Sequence, residues 1–115
     1  MIEIIFKVPE LKKDKVLEVA CEDGRLSRDL FVSWFLEIHL FDQCPEGLKK
    51  VRDWSRDIKS VKSIVESSME NYPFLQYYDL ITLNWCIGYL SDSELVVFLK
   101  KCKDWLRPSE KRSTR

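Results

Sequence analysis

Two positions that follow apolar runs, a glycine and an aspartate, could bind a nucleotide-like ligand. Gly24 lies in the turn that follows the apolar run 15–20, and Asp42 closes the apolar run 35–41. A glycine lets the backbone approach a ligand without a Cβ in the way. An acidic residue about 20 residues further along can accept hydrogen bonds from ribose hydroxyls, and Asp42 lies at about that distance after Gly24. The spacing favours a nucleotide site, although an aspartate after a strand is also a common turn former.

The elements that would position these residues alternate between strands and helices. Near-continuous apolar runs predict strands that are covered on both faces, as in a parallel α/β sheet. In such a sheet a ligand binds beyond the carboxyl ends of the strands, which is where both positions lie. The four predicted strands of this sheet cover residues 15–20, 35–41, 60–65 and 78–85.

Three helices are predicted between and after these strands. Ser27 is predicted to cap a short first helix, and Pro45 suits the first turn of the second. Ser91 and Glu94 form a capping box before the third helix, which we expect Pro108 to end. The resulting alternation indicates one small α/β domain.

The chain divides into three predicted segments. Apolar residues at positions 2, 4, 6 and 8 alternate with polar ones, so residues 1–14 read as a strand-like segment followed by a charged connector. Residues 15–108 form the main domain. Residues 109–115 are a polar, basic tail that we expect to fray.

The charge balance and the cysteines limit the classes of function. The 19 basic and 19 acidic residues cancel, so the net charge gives no case for binding nucleic acid or a membrane surface. The 4 cysteines form no Cys-x-x-Cys pair and His39 is the one histidine, so no metal site is expected. His39 lies within a predicted strand and is expected to be a packing residue. Free thiols are typical of a reducing compartment, which predicts an intracellular protein, cytoplasmic or nuclear.

The longest distinctive pattern runs from Tyr78 to Pro108. It reads Asp-Leu-Ile-Thr-Leu-Asn-Trp, then Ile-Gly-Tyr-Leu-Ser-Asp, and then an amphipathic helix that ends in Leu-Arg-Pro. This pattern resembles the middle of the alpha-N-terminal protein methyltransferases, a Rossmann-like class I family that uses S-adenosylmethionine. The resemblance extends over residues 15–108 and implies a partial methyltransferase sheet with strand order 3-2-1-4 and flanking helices. In the family, the sulfonium methyl is transferred directly to a protein's α-amine without a metal.

The resemblance assigns four residues to the cofactor. Gly24 and Arg25 match the end of the family's glycine-rich turn, whose arginine is assigned to the methionine carboxylate. Asp42 matches the acidic residue that binds the ribose hydroxyls. Asn84 matches a position near the cofactor that is usually a glutamine. S-adenosylmethionine is the one cofactor that the resemblance implies.

The chain departs from the family pattern at three positions. Ala20 and Glu22 stand where the family has the first two glycines of the turn. Glu22 adds a negative charge near a site that receives a carboxylate, and like charges about 4 Å apart cost roughly 4 kcal/mol at a surface-like dielectric. Tyr89 stands where the family commonly has a histidine, and an unperturbed tyrosine is protonated at neutral pH and poorly suited to accept a proton. No catalytic residue is therefore assigned.

These departures predict a truncated and degenerate member of the family. We expect a homologue of the protein N-terminal methyltransferases with impaired catalysis, which would take a protein N-terminus as substrate if active. The alternative is a non-catalytic interaction or structural subunit built on the same fold.

The fourth predicted strand is expected to be an open, apolar sheet edge, because the family continues after Leu-Arg-Pro with a fifth strand and this sequence does not. Residues 2–8, a second copy of the chain or a different protein could cover that edge. A protein partner or self-association is accordingly predicted there.

Overall fold

A mixed five-stranded sheet lies at the centre of the molecule. The computed structural model describes residues 3–7, 13–84 and 90–108. The strands are β1 (Glu3–Lys7), β2 (Lys15–Val19), β3 (Glu37–Asp42), β4 (Val61–Glu66) and β5 (Leu80–Asn84). Their order across the sheet is β1-β5-β2-β3-β4. Strands β2 to β5 are parallel to one another, and β1 pairs with β5 in the antiparallel direction.

Strands β2 to β5 are the four strands predicted from the apolar runs. Their order β4-β3-β2-β5 is the predicted order 3-2-1-4, so the α/β fold class is confirmed. Nearly every residue of β2 and β3 is buried, because a parallel sheet is covered on both faces. The bounds differ from the predicted ones by one or two residues. The start of β5 shifts because Tyr78 bonds its backbone to Trp105 and Arg107 instead.

Three helices pack against the sheet. α1 comprises the π-helical segment Ser27–Phe31 and the α-helical turn Val32–Trp34, α2 is Pro45–Trp54, and α3 is Asp92–Asp104. The predicted capping box is confirmed, since Ser91 and Glu94 each accept a hydrogen bond from the other's backbone N–H. α3 ends at Asp104, earlier than the predicted Pro108, because the chain beyond it pairs with Tyr78. No helix in the described part of the chain is long and apolar enough to cross a membrane.

The core lies on both faces of the sheet. Neighbouring residues in a strand point to opposite faces. Leu17 therefore belongs to the apolar cluster that includes Phe98 of α3, whereas Val16 belongs to the cluster that includes Leu48 of α2. Burying an aliphatic or phenylalanine side chain completely is worth about 1.5–3 kcal/mol, so these two clusters fix the sheet between its helices.

The predicted N-cap at Ser27 is wrong. The backbone is already helical at Arg25 and Leu26, before α1, so Ser27 caps no helix, and its side chain is fully buried. Its backbone N–H and its Oγ both donate to Oε1 of Glu18, at 3.1 and 2.6 Å. A carboxyl group buried in the core needs such donors, and this need overrides the local capping preference of serine.

The edge of β5 is covered within the chain. β1 pairs with β5 from Glu3 opposite Asn84 to Lys7 opposite Leu80. The first of the three alternatives for this edge is therefore the one observed, and the expectation that β5 is an open edge is wrong. A protein partner or a second copy would have to displace β1 or pair with its outer side. The pairing of β1 with β5 does not test the prediction of a partner or of self-association.

A buried ion pair holds the amino end of β5. Asp79 is fully buried, and its carboxylate accepts hydrogen bonds from Arg107 Nε at 2.7 Å and Arg107 Nη2 at 3.1 Å. The same carboxylate accepts a hydrogen bond from the backbone N–H of Lys15, the first residue of β2, at 3.0 Å. We call these three residues the Asp79 clamp. The clamp ties the Leu-Arg-Pro sequence after α3 to the start of two neighbouring strands.

Candidate functional site

A cleft of about 560 Å³ opens at the carboxyl ends of β2, β3 and β4. This volume is within the usual range of small-molecule sites, about 300–1,000 Å³. Its walls come from the turn after β2, the end of β3, the first part of α2 and the segment after β4. They include Ala20, Glu22, Asp42, Cys44, Lys50 and residues 67–70. The cleft therefore lies where a ligand is expected in a parallel α/β sheet.

The turn after β2 has an unusual backbone. Ala20, Glu22 and Gly24 all have positive φ, at 52°, 53° and 72°. Left-handed backbone costs a residue with a Cβ about 1–2 kcal/mol, so only Gly24 adopts it freely. The three residues are the positions that match the family's three glycines. The turn therefore has, at all three positions, the positive φ that favours glycine, although two of the three residues are not glycine.

Hydrogen bonds hold this turn in place. Cys21 donates its N–H to Phe41 O at 3.0 Å, and Gly24 donates its N–H to Cys21 O at 2.8 Å. From α2, the indole Nε1 of Trp54 donates to Asp23 O at 2.8 Å. Because the turn is tied to both β3 and α2, its strained residues cannot relax independently.

Asp42 connects the turn to the end of β3. Its Oδ2 accepts a hydrogen bond from Glu22 N at 2.8 Å, and its Oδ1 accepts one from Cys44 N at 2.8 Å. A carboxylate has about four acceptor positions, so each oxygen retains capacity toward the cleft that Asp42 lines. A pair of ribose hydroxyls is the kind of ligand that this arrangement fits.

Gly24 is buried and packs away from the cleft. A Cβ at this position would lie 2.8 Å from Cζ2 of Trp54, 3.0 Å from Cγ2 of Val51 and 3.2 Å from Cδ2 of Leu40. Gly24 is absent from the cleft wall. The predicted reason for a glycine here was ligand approach, whereas the structure also requires it for the packing of the turn against α2.

The other residues assigned to the cofactor are not among those that line the cleft. Arg25 is exposed, directly after the turn and two residues before α1. Asn84 is the last residue of β5, at the same edge of the sheet as the turn. Tyr89 lies outside the described residues. Of the four predicted cofactor residues, Asp42 lines the cleft. The assignment of Gly24, Arg25 and Asn84 to a cofactor stays a prediction.

Sequence reasoning missed two residues that shape the turn. A Cβ on Gly47 of α2 would lie 2.5 Å from the backbone oxygen of Glu22, so only glycine allows α2 to approach this closely. Glu18 is 2% exposed beneath the turn, and burial is the main cause that raises the pKa of its carboxyl to about 7, against the lowering effect of its bonds to Ser27. A glycine in the first turn of an amphipathic helix was a usable signal. A glutamate within an apolar strand was another.

The remaining titratable groups near the sheet have structural surroundings. Burial raises the pKa of the Cys21 thiol and lowers the pKa of His39. His39 packs edge-on against Tyr78, and its Nδ1 lies 2.6 Å from Ser63 Oγ. This agrees with its predicted packing role. Within residues 13–84 and 90–108, no three His, Cys, Asp or Glu side chains are grouped in a way that could hold a metal ion.

The fold class is shown by solved structures. A SAM-dependent methyltransferase from Leishmania major superposes with a TM-score of 0.80 at 24% identity, over 88% of this chain and 41% of that one. Phosphoethanolamine N-methyltransferase 1 from Haemonchus contortus, solved with phosphoethanolamine and S-adenosylhomocysteine, gives a TM-score of 0.77 at 21% identity. It covers 88% of this chain and 22% of that one. The fold is that of the Rossmann-like, S-adenosylmethionine-dependent methyltransferases.

The family is shown by sequence. The profile of the family described as AdoMet dependent proline di-methyltransferase matches residues 4–111. N-terminal Xaa-Pro-Lys N-methyltransferase 1 of Danio rerio is 33% identical over 87 residues, which are 74% of this chain and 39% of that protein. Alpha N-terminal protein methyltransferase 1 of Dictyostelium discoideum is 28% identical over 103 residues, 88% of this chain and 38% of that protein. The chain belongs to this family, as the resemblance implied, and spans about two fifths of the length of these relatives.

Proposed function

We propose that the cleft binds S-adenosylmethionine and that the chain is a protein N-terminal methyltransferase homologue with impaired catalysis. The main support is the turn after β2. Ala20 and Glu22 keep a strained left-handed backbone that an ordinary strand-to-helix connection does not need. Strain of this kind persists where a binding surface has to be held in shape, and here Asp42 fixes it from β3.

The chain's own groups suit the parts of this cofactor. Asp42 would accept hydrogen bonds from the ribose hydroxyls with the acceptor positions that its two backbone donors leave open. Ala20 and Met69 give the cleft apolar surface suited to an adenine ring, with the buried Phe41 directly behind it. Arg25 remains the proposed partner of the methionine carboxylate, and Asn84 a further polar contact. The bound cofactor would supply an electrophilic methyl group.

Impaired catalysis is proposed because the groups beyond the cofactor turn differ from those of the family. Methyl transfer to an amine needs the neutral nitrogen, and Tyr89 occupies the position of the family's histidine. Glu22 places a carboxylate in the cleft wall, close to where the cofactor's own carboxylate is expected. The relatives' names give the substrate pattern Xaa-Pro-Lys, so a protein N-terminus of that kind is the proposed substrate.

The alternative, a non-catalytic interaction or structural subunit, also has support. β1 covers the edge of β5 and is itself the edge strand on that side of the sheet in the described part of the chain. Together with the two lost glycines, this would suit a domain that is kept for its fold.

Calorimetric titration of the purified chain with S-adenosylmethionine separates these functions. We expect micromolar binding that is lost in Arg25→Ala and kept in Arg56→Ala, an exposed arginine on the turn after α2. A methyl-transfer assay with a Xaa-Pro-Lys peptide should then show slow turnover. The absence of binding at millimolar cofactor would favour the non-catalytic alternative. Binding that persists in Arg25→Ala would remove only the assignment of Arg25.

A further inference from the structure

Glu22 holds a fixed position in the wall of the cleft. Its N–H donates to Asp42 Oδ2 at 2.8 Å, and its carbonyl lies against Gly47, where even a Cβ would come within 2.5 Å. Since the backbone is held on both sides at a φ of 53°, the side chain starts from a defined point. That side chain is exposed and forms part of the cleft wall.

The surroundings of Glu22 make the cleft strongly negative. The wall carries the acidic residues Glu22, Asp23, Asp42, Glu46 and Glu70, and the one basic residue among its lining side chains is Lys50. The amino end of α2 adds a partial positive charge, equivalent to about half a unit. The acidic groups therefore outweigh the basic ones at the place where the ligand would bind.

We propose that Glu22 makes the cleft discriminate between the methylated cofactor and its demethylated product. S-adenosylmethionine and S-adenosylhomocysteine differ by one methyl group and one positive charge on sulfur. A carboxylate in the wall attracts the sulfonium and gains nothing from the neutral thioether. This inference rests on the proposed function, because it concerns the same cleft and the same ligand.

The size of the effect follows from Coulomb's law in a partly solvated cleft. At a separation of about 12–15 Å, rather than the 4 Å of direct contact, and at a surface-like dielectric, one unit charge changes the affinity for another by roughly fivefold to tenfold. The same carboxylate repels the carboxyl group that both ligands share. In S-adenosylmethionine the attraction to the sulfonium opposes this repulsion, whereas in S-adenosylhomocysteine nothing does. Glu22 would thus mainly reduce the binding of product.

The test is calorimetric titration of the full chain with S-adenosylmethionine and S-adenosylhomocysteine separately. In Glu22→Gln the side chain keeps its size and loses its charge. We expect the chain to bind S-adenosylmethionine at least fivefold more tightly than S-adenosylhomocysteine, and Glu22→Gln to reduce that ratio to below twofold. Asp57→Asn, which removes an exposed charge outside the cleft wall, serves as the control and should leave the ratio unchanged.

Two results would overturn the inference and leave the proposed function intact. One is equal or tighter binding of S-adenosylhomocysteine to the unmodified chain, and the other is an unchanged ratio in Glu22→Gln. If neither ligand binds at millimolar concentration, the proposed function fails and the inference fails with it. Circular dichroism of each variant confirms that the fold is retained.

Discussion

The two ends of the same sheet are held together in different ways. At the amino end of the strands, the carboxylate of the Asp79 clamp accepts hydrogen bonds from Lys15 and Arg107, and all of these contacts are within the protein. At the carboxyl end, the turn after β2 holds Ala20 and Glu22 at positive φ, a conformation that favours glycine. The amino end is therefore built for stability, whereas the carboxyl end keeps a strained backbone beside an open cleft.

The Tyr78 to Pro108 pattern belongs to the amino end of the sheet through the contacts of its two ends. Tyr78 exchanges backbone hydrogen bonds with the chain after α3, accepting from Arg107 N at 2.7 Å and donating to Trp105 O at 2.9 Å. Asp79 and Arg107 form the clamp directly beside these bonds. The two ends of the pattern therefore meet in space, and their contacts are made within the protein.

Gly24 shows that the carboxyl end of the sheet, where a ligand would bind, also contributes to stability. It belongs to the turn, yet a Cβ there would clash with Trp54 and Val51 at a φ of 72°. We expect Gly24→Ala to lower the free energy of unfolding by about 3–4 kcal/mol, the sum of overpacking and left-handed strain. Urea denaturation measures this. Ser33→Ala, an exposed change on α1, should stay within about 0.5 kcal/mol, and a similar small change in Gly24→Ala would show that α2 can move away.

The buried carboxyl group of Glu18 can be used to test whether a buried charge destabilises the carboxyl end of the sheet. Its carboxyl pKa is raised from 4.5 to about 7, mainly by burial. The native state therefore holds the proton more tightly than the unfolded state, so this contribution to stability is present below pH 4.5 and is lost as the pH rises through 7. The loss amounts to about 3 kcal/mol.

Glu18→Gln should remove this pH dependence, because an amide does not titrate. Its oxygen can still accept the hydrogen bonds from Ser27, so the fold should be kept. Relative to Glu18→Gln, the unmodified chain should be less stable at pH 8 than at pH 5 by about 2–3 kcal/mol, because a small part of the loss has already occurred at pH 5. Urea denaturation at the two pH values measures the difference, with exposed Glu66→Gln as the control. A difference that does not vary with pH would mean that Glu18 titrates normally in the folded protein.

The clamp itself can be broken at Asp79. Asp79→Ala removes a fully buried carboxylate that serves three donors. Breaking a buried pair costs about 3–5 kcal/mol, and we expect about 2 kcal/mol here because the Arg107 side chain is 35% exposed and can be hydrated. Thermal or urea unfolding checks this, with Asp53→Ala at an exposed ion pair as the control. Loss of cofactor binding in a folded Asp79→Ala variant would contradict the separation of the two ends.

The smallest effect concerns the strain at Glu22. Glu22→Gly should raise the free energy of unfolding by about 1 kcal/mol, since glycine adopts positive φ without a steric cost. Glu22→Ala removes the same charge and keeps the Cβ, so it should give little of this gain. Parallel urea titrations of the two variants separate backbone strain from electrostatics. Equal stability of the two variants would show that the turn is not strained at this position.

Much of the fold could be predicted because its determinants are local or strictly periodic. Apolar runs gave β2 to β5 within two residues, Pro45 marked the start of α2, and the Ser91–Glu94 capping box marked the start of α3. The alternation at positions 2 to 8 correctly predicted a strand, although it left open what that strand would pair with.

Less of the site could be predicted, because its features depend on distant neighbours. Ser27 looked like a cap, but Glu18 of β2 takes both its N–H and its hydroxyl. Gly24 was assigned to ligand approach, but Trp54 of α2 determines its packing. In each case the deciding contact comes from another element, which no local spacing reveals.

By itself, the sequence determined the order of the elements and the family, because periodicity, capping and motif spacing are written along the chain. The tertiary structure alone decided that Ala20 and Glu22 have positive φ, that β1 covers β5, and that Arg107 pairs with the buried Asp79. The physical reason is that backbone strain, strand pairing and charge burial are set by residues far apart in sequence that only the folded sheet brings into contact.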